Sequence, residues 1–152
     1  MKIVKNPTEA HLRDLYKWLK DEEIESGEGF FCNWNIIANS VSEDKLYIVE
    51  LDSRAVALLV KWQFSSCFEI DILTVEPRYR GKGIGRHLAT SLIDEAKKVN
   101  AEKISIQCMP TSSEAFWKSL GFIEDPDKLC ERIRGVPMQD LHLEMRLCAN
   151  EL

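Results

Sequence analysis

Two periods of hydrophobic and polar positions occur along the chain and together predict an α/β fold. Residues 45–50, 54–62 and 67–75 are rich in apolar and β-branched side chains, and the last of them alternates with a period of two, as strands do. The short segment Leu51-Asp52-Ser53 favours a hairpin turn. We therefore expect an antiparallel meander of three strands within a mixed, mostly antiparallel sheet flanked by helices.

Helical periods precede and follow this meander. Thr8 is a suitable cap for a first helix, which we expect to end near Lys20, before an acidic loop or frayed helix end at residues 21–29. A shorter helix is predicted at residues 33–41. A third is predicted from one apolar face, formed by Leu88, Ala89, Leu92, Ile93, Ala96 and Val99.

Three further strands complete the predicted sheet. Residues 2–5 form a short first strand, and residues 103–109 are expected to run parallel to residues 67–75 after a right-handed helical connection. The last strand covers residues 141–147, with His142 and Glu144 on its solvated side.

A short last helix is expected between the final two strands. Thr111 and Glu114 have the spacing of a capping box at its start, and Gly121 is suited to its C-terminal end. His11 and His87 are expected on helix surfaces, and no element is predicted for residues 124–140.

Length and charge limit the class of protein. A chain of 152 residues is most simply one domain, residues 1–152. The net charge of −5 argues against a nucleic-acid partner. The chain starts without an apolar signal segment, and no apolar run approaches the ~18 residues of a membrane span. We therefore expect a cytoplasmic protein without a membrane partner.

The cysteines indicate no metal. Five cysteines without CxxC spacing favour neither a disulfide framework nor a zinc site. Cys67 and Cys108 fall in predicted strands, so we expect buried reduced thiols at both positions.

Residues 80–86, here named the glycine loop, are the strongest candidate for a ligand site. Gly81, Gly83 and Gly85 lie between a predicted strand and a predicted helix, where a backbone without Cβ atoms can turn tightly and approach a ligand. Amide groups at a helix start attract anions, and Arg80, Lys82 and Arg86 add positive charge. A diphosphate is the expected ligand.

Two common nucleotide motifs do not fit the glycine loop. A dinucleotide fingerprint follows the first strand of its unit and has an acidic residue closing the next strand, whereas this loop follows about the fourth strand and the next one ends in Cys108-Met109. A P-loop requires Gly-Lys-Ser or Gly-Lys-Thr, which is missing.

The chain instead resembles the GNAT family of N-acetyltransferases. Arg80-Gly81-Lys82-Gly83-Ile84-Gly85 matches the family's core motif of Arg or Gln, two residues, Gly, one residue, then Gly or Ala. Residues 72–77 are similar to the family's fourth strand and residues 115–122 to its last-helix motif. Three motifs in the family's order, within residues 67–122, imply a GNAT-like acyl-CoA N-acyltransferase fold.

The resemblance implies a reaction and a co-substrate. Acetyl-CoA would donate its acetyl group to a primary amine, of a small molecule or a protein, by direct attack in a ternary complex without a metal. The backbone of Leu73, Thr74 and Val75 would pair with the pantetheine amides like an added strand. The diphosphate would be held by the glycine loop, that is by Arg80, Gly81, Lys82, Gly83, Ile84, Gly85 and Arg86.

Two catalytic positions follow from the same resemblance. Glu69 lies eleven residues before Arg80, where histone acetyltransferases of the family have a general base, although Glu69 and Asp71 are also readable as solvated or salt-bridged strand residues. Trp117 stands where many members have a tyrosine that protonates the CoA thiolate. Since an indole is too weakly acidic for that step, Trp117 is expected to form a wall for the cofactor or to pack in the core.

The acceptor and the oligomeric state are left open by the sequence. The acidic segment 21–28 suits a cationic amine or is simply solvated. Phe30, Phe31 and Trp34 line an acceptor pocket or pack beneath the loop. The alternative function is a non-catalytic acetyl-CoA-binding regulator that acts through a protein partner.

Overall fold

The computed structural model describes residues 1–108, 110–126 and 141–147 of the chain. The described residues form seven strands and four α-helices. In chain order these are β1 (Lys2–Val4), α1 (Glu9–Ser26), α2 (Trp34–Ser40), β2 (Leu46–Leu51), β3 (Arg54–Phe64), β4 (Cys67–Val75), α3 (Ile84–Lys98), β5 (Lys103–Cys108), α4 (Glu114–Ser119), β6 (Ile123–Glu124) and β7 (Leu141–Arg146).

The seven strands form one mixed sheet in the order β1-β2-β3-β4-β5-β7-β6. Strand β1 pairs antiparallel with β2, and β2 pairs antiparallel with β3. Strand β7 pairs antiparallel with both β5 and β6, whereas β4 and β5 are parallel. The predicted mixed, mostly antiparallel sheet and the parallel pairing after the glycine loop are therefore confirmed.

Contacts between Cα atoms divide the chain into two compact units. The first unit comprises residues 1–61 and 72–91, and the second comprises residues 62–71 and 92–152. The core of the first unit is formed by apolar residues of α1, α2, β2, β3 and the end of β4. Trp18 is part of this core, and its indole N–H donates to the carbonyl of Ala55 at 3.1 Å.

The second unit has its own buried strand face. Ile104, Ile106 and Cys108 alternate on β5 and are buried. Helix α4 ends at Ser119, and Gly121 follows two residues later with φ +103°, as predicted for a glycine after a helix. The amide of Gly121 donates to the Lys118 carbonyl and that of Phe122 to the Trp117 carbonyl, which satisfies the last turn of the helix.

Helix α1 is longer than its apolar pattern predicts. It does not end near Lys20 but continues to Ser26, so the expectation of a loop or frayed end over the acidic segment was wrong for most of that segment. The helix ends where Gly27 adopts φ +70° and donates its amide to the Glu23 carbonyl at 2.8 Å. Its start is as predicted, with the Thr8 side chain accepting from the His11 amide.

Three predicted polar positions are more buried than expected. His11 is buried, because its Nε2 atom lies 2.6 Å from the Glu50 carboxylate and its Nδ1 accepts from the Thr8 amide. Glu144 is only 1% exposed, because its carboxylate is paired with Arg146 at 3.0 Å and Lys103 at 3.8 Å. His142 is half-buried. For Glu144, pairing with two cations offsets the cost of removing a carboxylate from solvent.

Other predicted details also differ from the structure. Val99 is not part of the buried face of α3, since it lies beyond the end of that helix and is 55% exposed. The Thr111 capping box was wrong, because residues Thr111–Ser113 form a 3₁₀ turn and α4 begins without a side-chain cap. Cys108 is buried but Cys67 is half-buried, and both are free thiols. Within residues 124–140, Glu124 ends β6, and residues 127–140 lie outside the described residues.

Candidate functional site

The end of β4 presents an extended backbone to the first part of the site. Thr74 is buried, and Leu73 and Val75 on either side of it are half-buried. Among the described residues, the pairing of β4 with β5 covers Cys67–Ile70 and ends there, whereas β4 itself continues to Val75. The main chain of residues 73–75 is thus extended but outside that ladder.

The glycine loop follows β4 after a 3₁₀ turn at Pro77–Tyr79. Gly81 has φ +75° and Gly83 has φ +81°, a left-handed backbone that disfavours any residue with a Cβ atom. A Cβ atom built on either glycine meets nothing within 4 Å. The glycines are therefore required by the path of the backbone, and the space in front of them is open.

Helix α3 begins directly after Gly83. The carbonyl of Gly83 accepts from the amide of His87 at 3.0 Å, which is the first bond of the helix. The amides of Ile84 and Gly85 lie in the first turn, where N–H groups have no acceptor within the helix and attract anions. Gly85 therefore belongs to the helix, although the sequence suggested that all three glycines precede it.

The cationic side chains of the glycine loop differ in their contacts. Lys82 and Arg86 are exposed, and the Lys82 ammonium lies 5.5 Å from the centre of the Tyr79 ring. Arg80 turns back instead: its Nε donates to the Val75 carbonyl at 2.8 Å and its Nη2 to Glu22 at 2.6 Å. The three cations predicted to hold a diphosphate are therefore not equivalent.

The segment that leads into the loop is held by Glu76. This buried carboxylate accepts from Arg78 Nε at 2.8 Å and lies 3.4 Å from Arg54. The Glu76 amide donates to the Val56 carbonyl at 2.8 Å. The turn before the glycine loop is thus fixed by both its side chain and its main chain.

Glu69 and Asp71 lie on the part of β4 that belongs to the second unit. They alternate with the buried residues Phe68 and Ile70, so both carboxylates point to the opposite face of the strand. Glu69 is half-buried, whereas Asp71 is exposed and accepts from the indole N–H of Trp62 at 3.3 Å. Asp71 thus already has a hydrogen-bond donor, the Trp62 indole.

Trp117 lies in an aromatic cluster of the second unit. It is 6% exposed, and its ring meets Phe116 and Phe122 edge to face, with centroids 4.9 and 5.4 Å apart. Such pairs stabilise beyond the area that they bury. The side chain is therefore a packing group in this structure.

The aromatic residues near the acidic segment also pack. Phe30, Phe31 and Trp34 lie against the core of the first unit. The Tyr16 ring meets Phe31 and Trp34 edge to face at 5.2 and 5.1 Å. These contacts show packing against the core and against helix α1.

Glu22 is the site residue that the sequence analysis missed. It is buried on α1 and pairs with Arg80. Its position was readable in the sequence, because residue 22 follows Leu15, Trp18 and Leu19 at helical steps and so continues their apolar face. Because the predicted helix ended near Lys20, residue 22 was not assigned to its buried face.

Comparison with known proteins places the chain in a family. Residues 8–122 match the model of the acetyltransferase (GNAT) family. The chain belongs to the GNAT family. The match includes β4, the glycine loop, α3 and α4, so the motif resemblance and the fold expected from it are confirmed. No curated protein matches the chain significantly.

Several solved structures share this GNAT fold at low sequence identity. The PaiA N-acetyltransferase of Thermoplasma acidophilum, solved with coenzyme A, has a TM-score of 0.73 and 15% identity, over 97% of this chain and 100% of that one. A ribosomal-protein-alanine N-acetyltransferase of Brucella melitensis has a TM-score of 0.68 and 20% identity, over 97% and 100%. These likenesses concern the fold.

A third solved structure is much longer than this GNAT chain. The N-acetylglutamate synthase of Neisseria gonorrhoeae, solved with coenzyme A and N-acetyl-glutamate, has a TM-score of 0.70 and 18% identity. The match covers 97% of this chain but 35% of the synthase, so this chain spans about a third of that protein.

The described residues contain no candidate membrane-spanning helix and no candidate metal site. None of their helices combines the length and apolarity needed to cross a membrane. Within the same residues, no group of three or more His, Cys, Asp or Glu side chains is arranged to hold a metal ion.

Proposed function

We propose that this chain is an N-acetyltransferase that moves an acetyl group from acetyl-CoA to a primary amine. Membership of the GNAT family supports acetyl transfer, and the PaiA enzyme and the N-acetylglutamate synthase were both solved with coenzyme A. The observation that carries the proposal is the glycine loop, whose left-handed Gly81 and Gly83 lead into the 15-residue helix α3. This backbone is suited to a diphosphate.

Two stretches of the described chain, the end of β4 and the glycine loop, suit two different parts of coenzyme A. The diphosphate would be held by the amides of Ile84 and Gly85 and by the charge of Lys82. The space beside Gly81 and Gly83, where a Cβ atom would lie, is open to it. The extended backbone of Leu73, Thr74 and Val75 would bind the pantetheine amides as an added strand. When bound, acetyl-CoA supplies a thioester carbonyl as the electrophile.

Glu69 is the proposed general base. An amine that is an ammonium at neutral pH must lose a proton before its nitrogen can attack, and a half-buried carboxylate on β4 is suited to take that proton directly or through a water molecule. Asp71 is the weaker candidate, since its carboxylate already accepts from Trp62.

Trp117 is proposed to support the site by packing. Its buried ring and its contacts with Phe116 and Phe122 suit a wall, and its indole is not an acid. In this proposal the thiolate of coenzyme A departs directly or takes a proton from water. This proposal requires no dedicated acid.

We further propose that residues 1–152 act as one catalytic domain in the cytoplasm, on an amine of a small molecule or a protein. The family model matches from residue 8 to residue 122, across both compact units. Cys32, Cys67 and Cys108 are free thiols, which suits a reducing compartment.

The rival function is a regulator that binds acetyl-CoA without turning it over. The observation that favours it is Trp117 at the position of the usual tyrosine acid. Incubation with acetyl-CoA and a broad panel of primary amines, with free thiol as the readout, separates the two. An acetyltransferase releases thiol only when a suitable amine is present. A protein that binds acetyl-CoA but releases no thiol with any amine is the regulator.

A further inference from the structure

Glu22 combines deep burial with an ion pair to the glycine loop. Its side chain is 9% exposed, and its Oε1 accepts from Arg80 Nη2 at 2.6 Å. Among the residues that the structure describes, its second oxygen, Oε2, is fully enclosed and has no hydrogen-bond partner. A buried carboxylate is costly unless it is paired, and the contact with Arg80 supplies that pairing.

The same guanidinium also holds the end of β4. Arg80 Nε donates to the Val75 carbonyl at 2.8 Å, while Nη2 donates to Glu22. Arg80 is the first residue of the glycine loop and is followed by the left-handed Gly81. One side chain therefore joins helix α1, the last residue of β4 and the start of the loop.

Glu22 is itself held from the other side by the chain after α1. Gly29 has φ +102°, and a Cβ atom there would lie 3.0 Å from the Glu22 carboxyl carbon. The backbone at Gly29 thus lies against the carboxylate. A side chain at residue 29 would therefore crowd the Glu22 carboxylate.

We infer that Glu22 is a positioning residue for cofactor binding, which acts by holding Arg80 against the Val75 carbonyl. This inference rests on the proposed function. In this role Arg80 fixes the geometry of the glycine loop, and its charge is offset by Glu22. Attraction of the diphosphate is then left to Lys82, Arg86 and the helix amides.

The substitution Glu22→Gln distinguishes this positioning role from a purely electrostatic effect of Glu22, because the two predict opposite changes in the affinity for coenzyme A. Glu22→Gln removes a negative charge near the proposed phosphate site, so it should strengthen coenzyme A binding if charge alone matters. If Glu22 positions Arg80, the same change should weaken binding, by about tenfold for the loss of a charge-assisted hydrogen bond.

The test is calorimetric titration of coenzyme A into the unaltered protein, Glu22→Gln, Arg80→Gln and the double variant. Glu23→Gln is the matched control, because Glu23 is an exposed carboxylate on the same helix. We expect weaker binding in Glu22→Gln with one site per chain, and no change in Glu23→Gln. A merely structural role would lower the number of sites per chain and leave the dissociation constant of the folded fraction unchanged.

The double variant supplies a rescue. Arg80→Gln alone leaves the Glu22 carboxylate buried without its partner. In the double variant two neutral side-chain amides face each other instead. The double variant should therefore bind coenzyme A more tightly than Arg80→Gln.

Three results would overturn the inference. Equal or tighter binding by Glu22→Gln, or no rescue in the double variant, refutes the positioning role of Glu22 but leaves the proposed coenzyme A site standing. Failure of the unaltered protein to bind coenzyme A refutes the proposed site, and the role of Glu22 with it.

Discussion

Replacement of Gly83 by Asp should separate the backbone role of the glycine loop from its binding role. Gly83 has φ +81°, and a Cβ atom there meets nothing within 4 Å. The cost to folding is therefore that of a left-handed backbone, about 1–2 kcal/mol, with no clash added. For a chain of this size that corresponds to a fall in Tm of about 2–8 °C.

Gly83→Asp should also weaken binding through the charge that it introduces. The new carboxylate would lie beside the proposed diphosphate, and two unit charges about 5 Å apart repel by about 1 kcal/mol in water and about 3 kcal/mol at an effective dielectric constant of about 20. We expect the affinity for acetyl-CoA to fall by about 5- to 150-fold.

Gly83→Asn is the matched control for this experiment. Asn has nearly the same shape as Asp and tolerates the left-handed region, but it carries no charge. Calorimetry on both variants, with circular dichroism to verify folding, should show a much greater loss of affinity for Asp than for Asn. A folded Gly83→Asp protein with the affinity of the unaltered protein would refute the assignment of the glycine loop.

Three further predictions concern the base, the tryptophan and the end of α1. Glu69→Gln should lower kcat by ~10²–10⁴ while acetyl-CoA affinity holds, with a smaller loss at high pH where more free amine exists; an unchanged pH–rate profile contradicts its role as base. Trp117→Phe should retain most activity, and Trp117→Ala should lose ~3–5 kcal/mol of stability. If Trp117→Tyr instead raises kcat strongly at unchanged cofactor affinity, thiolate protonation limits the native enzyme. Gly27→Ala should lower Tm by about 2–8 °C through its left-handed φ alone, since no atom lies within 4 Å of the added Cβ, and an unchanged Tm in thermal unfolding would show that the cap is not required.

The sequence predicted the middle of the fold well because local rules decide it there. The bounds of β4 were read directly from the alternation of Phe68, Ile70 and Ile72 with polar residues. A hairpin turn at Leu51-Asp52-Ser53 was also predicted. In the structure the turn consists of Asp52 and Ser53, which both have positive φ, while Leu51 belongs to the strand and pairs with Arg54. Glycine spacing located the loop for the same reason, since a left-handed φ favours glycine.

What the sequence did not predict depends on partners that are distant along the chain. Charge alone predicts Arg80 as a phosphate ligand, and it gives no sign that Glu22, 58 residues away, pairs with the Arg80 guanidinium. Glu144 was placed in solvent by strand alternation, and it is buried because Arg146 and Lys103 pair with it. Polarity alone cannot distinguish a solvated carboxylate from a paired one.

The most direct test of the central claim is mass spectrometry of the amine after incubation with acetyl-CoA. The candidate acceptors are those that release thiol, and the Gly83→Asp protein serves as the matched blank. The account predicts that one acetyl group appears on the amine for each thiol released, and that the blank forms much less product at limiting acetyl-CoA. Thiol release without an acetylated amine, or equal product from the blank, would contradict it.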